Sequence, residues 1–553
     1  MKQIKLRKNP KVIKNLFKVA KFFSVKSYLI FHQNILFSTL IFCLVFSVTA
    51  YFSLISTDTH HDGIMFKPAL DVAGGKILFR ETFTQYGAFT TFIQALALYL
   101  FGDYLAVIKI QTALAYAVLG LLLFEIWQRI LPRTLAAISI LFWIIINPVL
   151  VSTTFPWSTV FALNFIAASL YFLIKFIENS NPVNLFFAGI TANLVFWCRQ
   201  PTGIVFILSL MTYMLILLYV KRETFCYFLK NYKYLFLGFF IPTFLILIWI
   251  YKNHALYDFW LQSVKFSFVF GEAYKSVNFT DLLSVFFPYP YNKWSGGYLW
   301  NVFPVISLVV FFYSIWDIKF KKNRSKQSEI LLLISFIALS NWHLYYPFPD
   351  FMKSFWGSSI MVGLLTYSIY RLVTFNGGGL KFFFTCIIAL LIYAKDFSSR
   401  LPTIKNYYSS AKFSIDDVKV LYGMRFFKEQ SEHLSDFSLA MNQYLYEHPT
   451  KKVINATTDA LYLTFADSKR VGSFHPAYVK WTILQYIIYP DYQNKMIDYV
   501  NKNKPLIIAY LPPNTKVNKD INGIASVFNG EETFIGYRVL QEFKGGLSLL
   551  CPI

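Results

Sequence analysis

TDTHHDGIMFKPALDVAGGKILFRETFTQYG, residues 57–87, is the first long polar break in a very apolar chain. It sets Asp58, His60, His61, Asp62, Lys67, Asp71, Lys76, Arg80 and Glu81 directly behind the first hydrophobic run. A loop that merely joined two membrane spans needs only a few residues and no such density of ionisable groups. Much of the remaining chain reads as scaffold around this loop.

The 553 residues are 56% hydrophobic, 20% aromatic and only 15% charged, a membrane-protein composition. The net charge of +23 invites a nucleic-acid reading, but its distribution opposes one. Residues 1–26 hold nine Lys/Arg and no acid, whereas Thr57–Asp103 holds five acids against three bases. Short basic loops alternating with non-basic ones are a topology signature, not a phosphate-binding surface. The five cysteines are scattered without metal-ligand spacing, so neither a disulfide framework nor a structural metal is expected. The basic N-terminus followed by a long apolar run without a small-residue cleavage site reads as an uncleaved anchor.

The positive-inside rule puts residues 1–33 in the cytoplasm and the 57–103 loop outside. The first span is about Asn34–Ser56. Gly87–Phe101 is short for a span, where about 20 residues are needed, and is expected to lie at the membrane interface. The next spans are about Tyr104–Trp127, Leu135–Val151, Thr159–Ile177, Leu185–Cys198, Gly203–Val220 and Tyr234–Tyr251. Leu299–Trp316, Ile330–Tyr345, Phe355–Leu372 and Lys381–Ala394 complete the set. The expected fold class is therefore an α-helical polytopic membrane protein with about eleven transmembrane helices over 34–395. Residues 396–553 change character, with 15 acids against 18 bases. Their alternating runs predict a small extracytoplasmic α/β domain. Lys451–Ala456, Pro505–Leu511 and Thr533–Phe543 read as strands, Tyr478–Tyr486 and Tyr492–Asn503 as helices. Asn455-Ala-Thr would be a glycosylation acceptor in a eukaryotic lumen, on a sequon too short to count as evidence.

Asp62 is the leading candidate for chemistry. It lies a few residues beyond a span end, where a carboxylate can act as general base on an acceptor hydroxyl and low dielectric raises its pKa. Asp71 and Glu81 are the alternatives, and any one of the loop's acids, Asp58 among them, can simply face water. His60 and His61 lack a third ligand at recognisable spacing, so a solvated loop is favoured over a metal site. Gly74-Gly75 reads as a turn, since it lacks the phosphate-binding glycine patterns. Lys67, Lys76, Arg80, Arg199 and Lys353 are either boundary anchors or convergent groups for a lipid-linked phosphate, which the arginine fork suits. His343, Tyr345 and Tyr346, within the aromatic stretch HLYYPFPDF, form either an interfacial belt or a substrate groove together with Tyr86.

The loop resembles a known family. His61-Asp62-Gly63, Ala69, Asp71, Gly74-Gly75, Leu78-Phe79-Arg80-Glu81, Phe83, Gln85-Tyr86-Gly87 and Leu100-Phe101-Gly102 are similar to the first-loop pattern of GT-C integral-membrane glycosyltransferases. The likeness is greatest to bacterial relatives of the protein mannosyltransferases and the lipid A aminoarabinose transferase. Arg199-Gln200-Pro201-Thr202-Gly203 and Tyr345-Tyr346-Pro347 fall where such proteins place basic and Tyr/Pro-rich outer segments. Glu81 stands where Asp is common, and Asp62 is flanked by histidines where many relatives carry paired acids.

The resemblance implies a polyprenyl-phosphate sugar as donor and a lipid, glycan or protein as acceptor. It implies Asp62 as base, with Arg80, Arg199 and Lys67 near the donor phosphate. The bacterial cytoplasmic membrane is the implied location. No cofactor is required by the residues, and a divalent metal is not indicated. Two rivals remain: a transporter or flippase, which would need ionisable groups deep in several spans, and a non-catalytic scaffold.

Overall fold

The computed structural model describes residues 35–150, 156–221, 225–266, 268, 299–320, 325–345, 351–374, 401–455, 457, 459–467, 471, 492–510 and 537–553. The first apolar run forms helix α1 (Ile35–Ser53). The polar loop that follows folds into α2 (His61–Ala73) and an extended turn, then enters α3 (Ala88–Phe101). α4 (Leu105–Trp127), α5 (Arg133–Ile145), α6 (Ser158–Asn179), α7 (Pro182–Cys198), α8 (Gln200–Lys221) and α9 (Phe225–Lys252) come next. The membrane part continues through α10 (Leu299–Lys319), α11 (Lys326–Asn341), α12 (Phe351–Ser358) and α13 (Met361–Thr374).

Among the described residues, seven helices are long and apolar enough to cross a membrane, and four apolar helices are shorter. The expected polytopic helical fold is present. Helix α3 is one of the short ones, as its sequence predicts. Its 14 residues extend about 21 Å, less than a hydrocarbon core of about 30 Å. It buries Thr91, Gln94, Ala95 and Leu98 and exposes Leu96, Tyr99, Leu100 and Phe101.

The expected span Phe355–Leu372 is not one helix. α12 ends at Ser358, and α13 begins at Met361. Two tryptophans from other helices bind the interruption. Trp143 Nε1 donates to Ser359 Oγ at 3.1 Å, and Trp127 Nε1 donates to the Ile360 carbonyl at 3.3 Å. A break inside a helical bundle persists when neighbouring side chains satisfy the freed polar groups. The expected span Lys381–Ala394 lies outside the described residues.

The C-terminal part contains α14 (Lys428–Glu447), α15 (Tyr492–Asn503) and a four-stranded sheet. The strands are β1 (Val453–Asn455), β2 (Leu506–Tyr510), β3 (Tyr537–Glu542) and β4 (Leu547–Pro552), ordered β1-β2-β4-β3. β1 and β2 are parallel, while β4 runs antiparallel to both β2 and β3. The sequence reading finds the first three strands and the helix at Tyr492–Asn503, and misses β4. Tyr478–Tyr486 lies outside the described residues. Asn455, read as a possible glycan acceptor, is buried and bonded to Thr457 and Asp459, which removes it from any modifying enzyme.

This part shares a core with the first loop. Phe66, Ala69, Leu98, Leu105 and Ile108 pack in one apolar cluster with Leu421, Phe426, Phe437 and Leu461. Backbone bonds reinforce the contact. The Ser56 amide donates to the Arg425 carbonyl at 2.7 Å, and the Arg425 amide donates to the Leu54 carbonyl at 2.9 Å. The Gln430 amide group donates to the Thr57 carbonyl at 2.6 Å.

Candidate functional site

Asp58 emerges where α1 gives way to the loop, half-exposed, three residues ahead of the first turn of α2. Its carboxylate accepts the His61 amide at 2.6 Å and lies 3.1 Å from the His61 ring. Burial raises the Asp58 pKa, but the hydrogen bonds and charge of His61 outweigh that, and the carboxyl titrates below its ordinary value. Asp58 therefore stays ionised at neutral pH.

His61 leads across the site. Its ring lies 4.9 Å from that of Trp157, tilted by 53°, just before α6, and Trp157 meets Trp356 edge-on at 5.6 Å. Trp157 Nε1 donates to the Tyr86 hydroxyl at 2.6 Å. Burial raises the Tyr86 pKa, and the charge of Arg199, at the end of α7, works against that rise. Arg199 also bonds the Thr159 hydroxyl.

Gly87 makes this convergence possible. Its amide donates to the Cys198 carbonyl at 3.2 Å, and a Cβ would lie 2.0 Å from the Trp197 carbonyl oxygen. Only glycine lets the start of α3 close on the end of α7, where Arg199 follows. A half-exposed carboxylate and an aromatic wall thus meet, with Arg199 at the adjoining end of α7.

The other residues expected at the site lie elsewhere. Asp62, the leading candidate for a base, is fully buried. Its Oδ2 accepts Lys109 Nζ at 2.8 Å, the Thr57 hydroxyl at 2.6 Å and the Asp58 amide at 3.1 Å. Desolvation raises its pKa against the pull of Lys109, so by pKa alone it is the better base. Its second oxygen, Oδ1, is buried without a hydrogen-bond partner among the described residues, and the side chain has no exposed surface in this structure. Lys109 escaped the sequence reading, which took the span Tyr104–Trp127 as scaffold. A lone lysine in such a span was the available signal.

Lys67 and Asp71 form a separate buried pair at 2.6 Å. Asp71 also accepts Lys76 at 2.9 Å and the Thr82 hydroxyl at 2.9 Å. These groups line a cavity of about 750 Å³ beneath the C-terminal part, together with Asp103, Asp417 and Lys419. Arg80 and Glu81 pair with each other at 2.9 Å on the surface. Arg80 further donates to the Asn253 carbonyl at 3.0 Å, and Glu81 accepts the Ile77 amide at 2.8 Å. Arg80 is thereby tied to the end of α9, and Glu81 to Arg80 and its own turn.

Tyr345 is a core residue, bonded through its hydroxyl to the Trp300 carbonyl and to Ser358, and does not face a groove. His343 is half-buried, its Nδ1 2.7 Å from the Ser340 carbonyl oxygen. Lys353 is half-buried on α12, and Tyr346 lies outside the described residues. Among the described residues, no group of three His, Cys, Asp or Glu side chains could hold a metal ion.

The comparisons agree with this architecture. Residues 87–249 match the family described as dolichyl-phosphate-mannose-protein mannosyltransferase. The fold is similar to that of ArnT from Cupriavidus metallidurans bound to undecaprenyl phosphate, with a TM-score of 0.54 and 10% identity. That match covers 94% of this chain and 98% of the other. Over residues 87–249 the chain is thus similar to the protein mannosyltransferases, and its fold is similar to that of ArnT. The apo oligosaccharyltransferase of Archaeoglobus fulgidus is also similar, with a TM-score of 0.49 and 12% identity over 86% of this chain and 69% of that one. No curated protein matches by sequence. The GT-C resemblance read from the first loop is thus met by the fold, and the family match begins where that loop ends.

Proposed function

We propose that this GT-C relative transfers a sugar from a polyprenyl-phosphate donor to a hydroxyl of a lipid, glycan or protein acceptor. The site faces the extracytoplasmic side of a bacterial cytoplasmic membrane, as the basic residues 1–26 and the acidic 57–103 loop support. The observation that carries the reading is the half-exposed Asp58 joined through His61 and Trp157 to Tyr86, with the charge of Arg199 bearing on that tyrosine. The ligand named for the ArnT structure, undecaprenyl phosphate, supports a lipid-linked donor here too.

The acceptor oxygen attacks the anomeric carbon and forms the new glycosidic bond. The bond from that carbon to the phosphate oxygen breaks, and polyprenyl phosphate leaves with the electron pair. Arg199 holds the departing phosphate through its planar fork of donors. Asp58 takes the hydroxyl proton. A carboxylate of depressed pKa is a weak base, so it works by orienting the hydroxyl and accepting its proton late, as attack makes the oxygen acidic. Trp157 and Trp356 offer flat apolar surface to the sugar face or to the first isoprene units.

The test is transfer from a panel of radiolabelled polyprenyl-phosphate sugars by purified protein. Asp58→Asn is expected to lower the rate about a hundredfold or more with the fold intact. Wild-type activity in that variant would remove Asp58 from the mechanism. Absence of both transfer and donor binding in the wild type would leave a scaffold.

A further inference from the structure

The buried Asp62–Lys109 pair is bonded to three successive residues of the chain. Asp62 Oδ2 accepts the Thr57 hydroxyl at 2.6 Å and the Asp58 amide at 3.1 Å. Lys109 Nζ, 2.8 Å from the same oxygen, donates to the Ser56 carbonyl at 3.1 Å. Ser56 itself has φ +65°, a left-handed conformation that residues with a side chain rarely adopt. The chain therefore leaves α1 through a disfavoured turn and is caught at once on a fixed charged pair. Thr57 turns its hydroxyl onto that pair, and Asp58 follows it directly.

We infer that Asp62 and Lys109 are positioning residues that set the height and direction of the Asp58 carboxylate relative to Arg199. The inference rests on the role of Asp58 proposed above. Stability alone is a poor explanation for the pair, because a buried ion pair of this kind is often replaced by apolar side chains without loss of stability. What an apolar replacement cannot supply is an acceptor for Thr57 and Asp58 and a donor for Ser56. Lys109 comes from α4, so the pair also ties the loop to the bundle that carries the aromatic wall. A displacement of about 1 Å at a reacting group is enough to cost on the order of a hundredfold in rate.

Three variants test this in the sugar-transfer assay. The double variant Asp62→Leu with Lys109→Met removes both charges together, and Thr57→Val removes one hydrogen bond while leaving the pair. The expected result is a fall in kcat of about tenfold to a hundredfold for the double variant and a smaller fall for Thr57→Val. In both, KM for the donor stays near wild type, because Arg199 is untouched. A conservative Lys109→Arg variant is expected to recover part of the rate. Wild-type kcat in a folded double variant, or in Thr57→Val, would overturn the inference and leave the pair purely structural. Asp58→Asn run alongside separates the two proposals. If it is fully active, the role of Asp58 itself falls; if it is inactive while the double variant is not, only the positioning role falls.

Discussion

Gly63 sits against the backbone of Leu461 so closely that a Cβ would lie 2.3 Å from the Leu461 amide nitrogen. That amide donates to the Thr59 carbonyl at 3.3 Å, so the contact joins the loop that bears Asp58 to the C-terminal part. The neighbouring atoms are backbone and cannot swing aside. Gly63→Ala is expected to force the two apart, with a loss of about 1–3 kcal/mol from overpacking. Thermal unfolding in detergent would show it as a lowered Tm together with faster proteolysis. An unchanged melting curve would mean that the interface yields at little cost.

Arg425 makes the second fastening. Its guanidinium lies 4.4 Å from the centre of the Tyr51 ring and donates to the Tyr51 hydroxyl at 3.0 Å, while its backbone pairs with Leu54 and Ser56. Arg425→Ala keeps the backbone bonds and loses the side-chain ones. A destabilisation of about 1–2 kcal/mol is expected, seen as earlier protease cleavage of the C-terminal part. Arg425→Lys should recover only a fraction, since an ammonium does not stack on the ring and bond its hydroxyl in the same way.

The bundle was legible because hydropathy and charge act along the chain. The apolar runs from α1 to α13 and the basic N-terminus need no tertiary knowledge. What escaped the reading depends on partners distant in sequence. The interruption at Ser359 and Ile360 carries neither proline nor glycine; Trp143 and Trp127 from other helices sustain it. The pairing of Asp62 with Lys109, which leaves Asp58 as the more exposed of the two carboxylates, is equally invisible along the chain. The motif glycines were visible as glycines, but their reason, the approach of Leu461 to Gly63 and of Trp197 to Gly87, lay elsewhere in the chain. Strand β4 could have been found, since its apolar run follows Gly545 and Gly546, both at positive φ, in a turn back from β3.

His61 should control the acid side of the pH profile. Burial pushes the Asp58 pKa up, and the hydrogen bonds and charge of His61 bring it below its ordinary value. A carboxyl depressed in the folded state favours folding above its unfolded pKa of about 3.9, and that contribution is lost as pH falls through the folded value. The ionised, active form therefore persists further into acid than an unassisted aspartate would. His61→Gln removes the ring and its charge, so the acid limb of kcat/KM is expected to move to higher pH. Rates measured from about pH 3.5 to about pH 7 would show the shift. A limb that stays in place would mean that another group sets it.

Arg199 is expected to act on the donor and not on the acceptor. Its side chain bonds Thr159, and the closure of Gly87 on Trp197 fixes the end of α7 that leads into it, so its fork is oriented before any ligand arrives. Lysine at this position keeps the charge and loses the paired donors that match a phosphate. Arg199→Lys should therefore raise KM for the lipid-linked donor about tenfold while lowering kcat less. Arg199→Ala should lower both parameters, because the charge on the departing phosphate is then also unsupported. Inhibition by sugar-free polyprenyl phosphate separates binding from chemistry. Its inhibition constant should rise in parallel with KM in the lysine variant. If KM rises and the inhibition constant does not, Arg199 contacts the sugar and the phosphate is held by another cation.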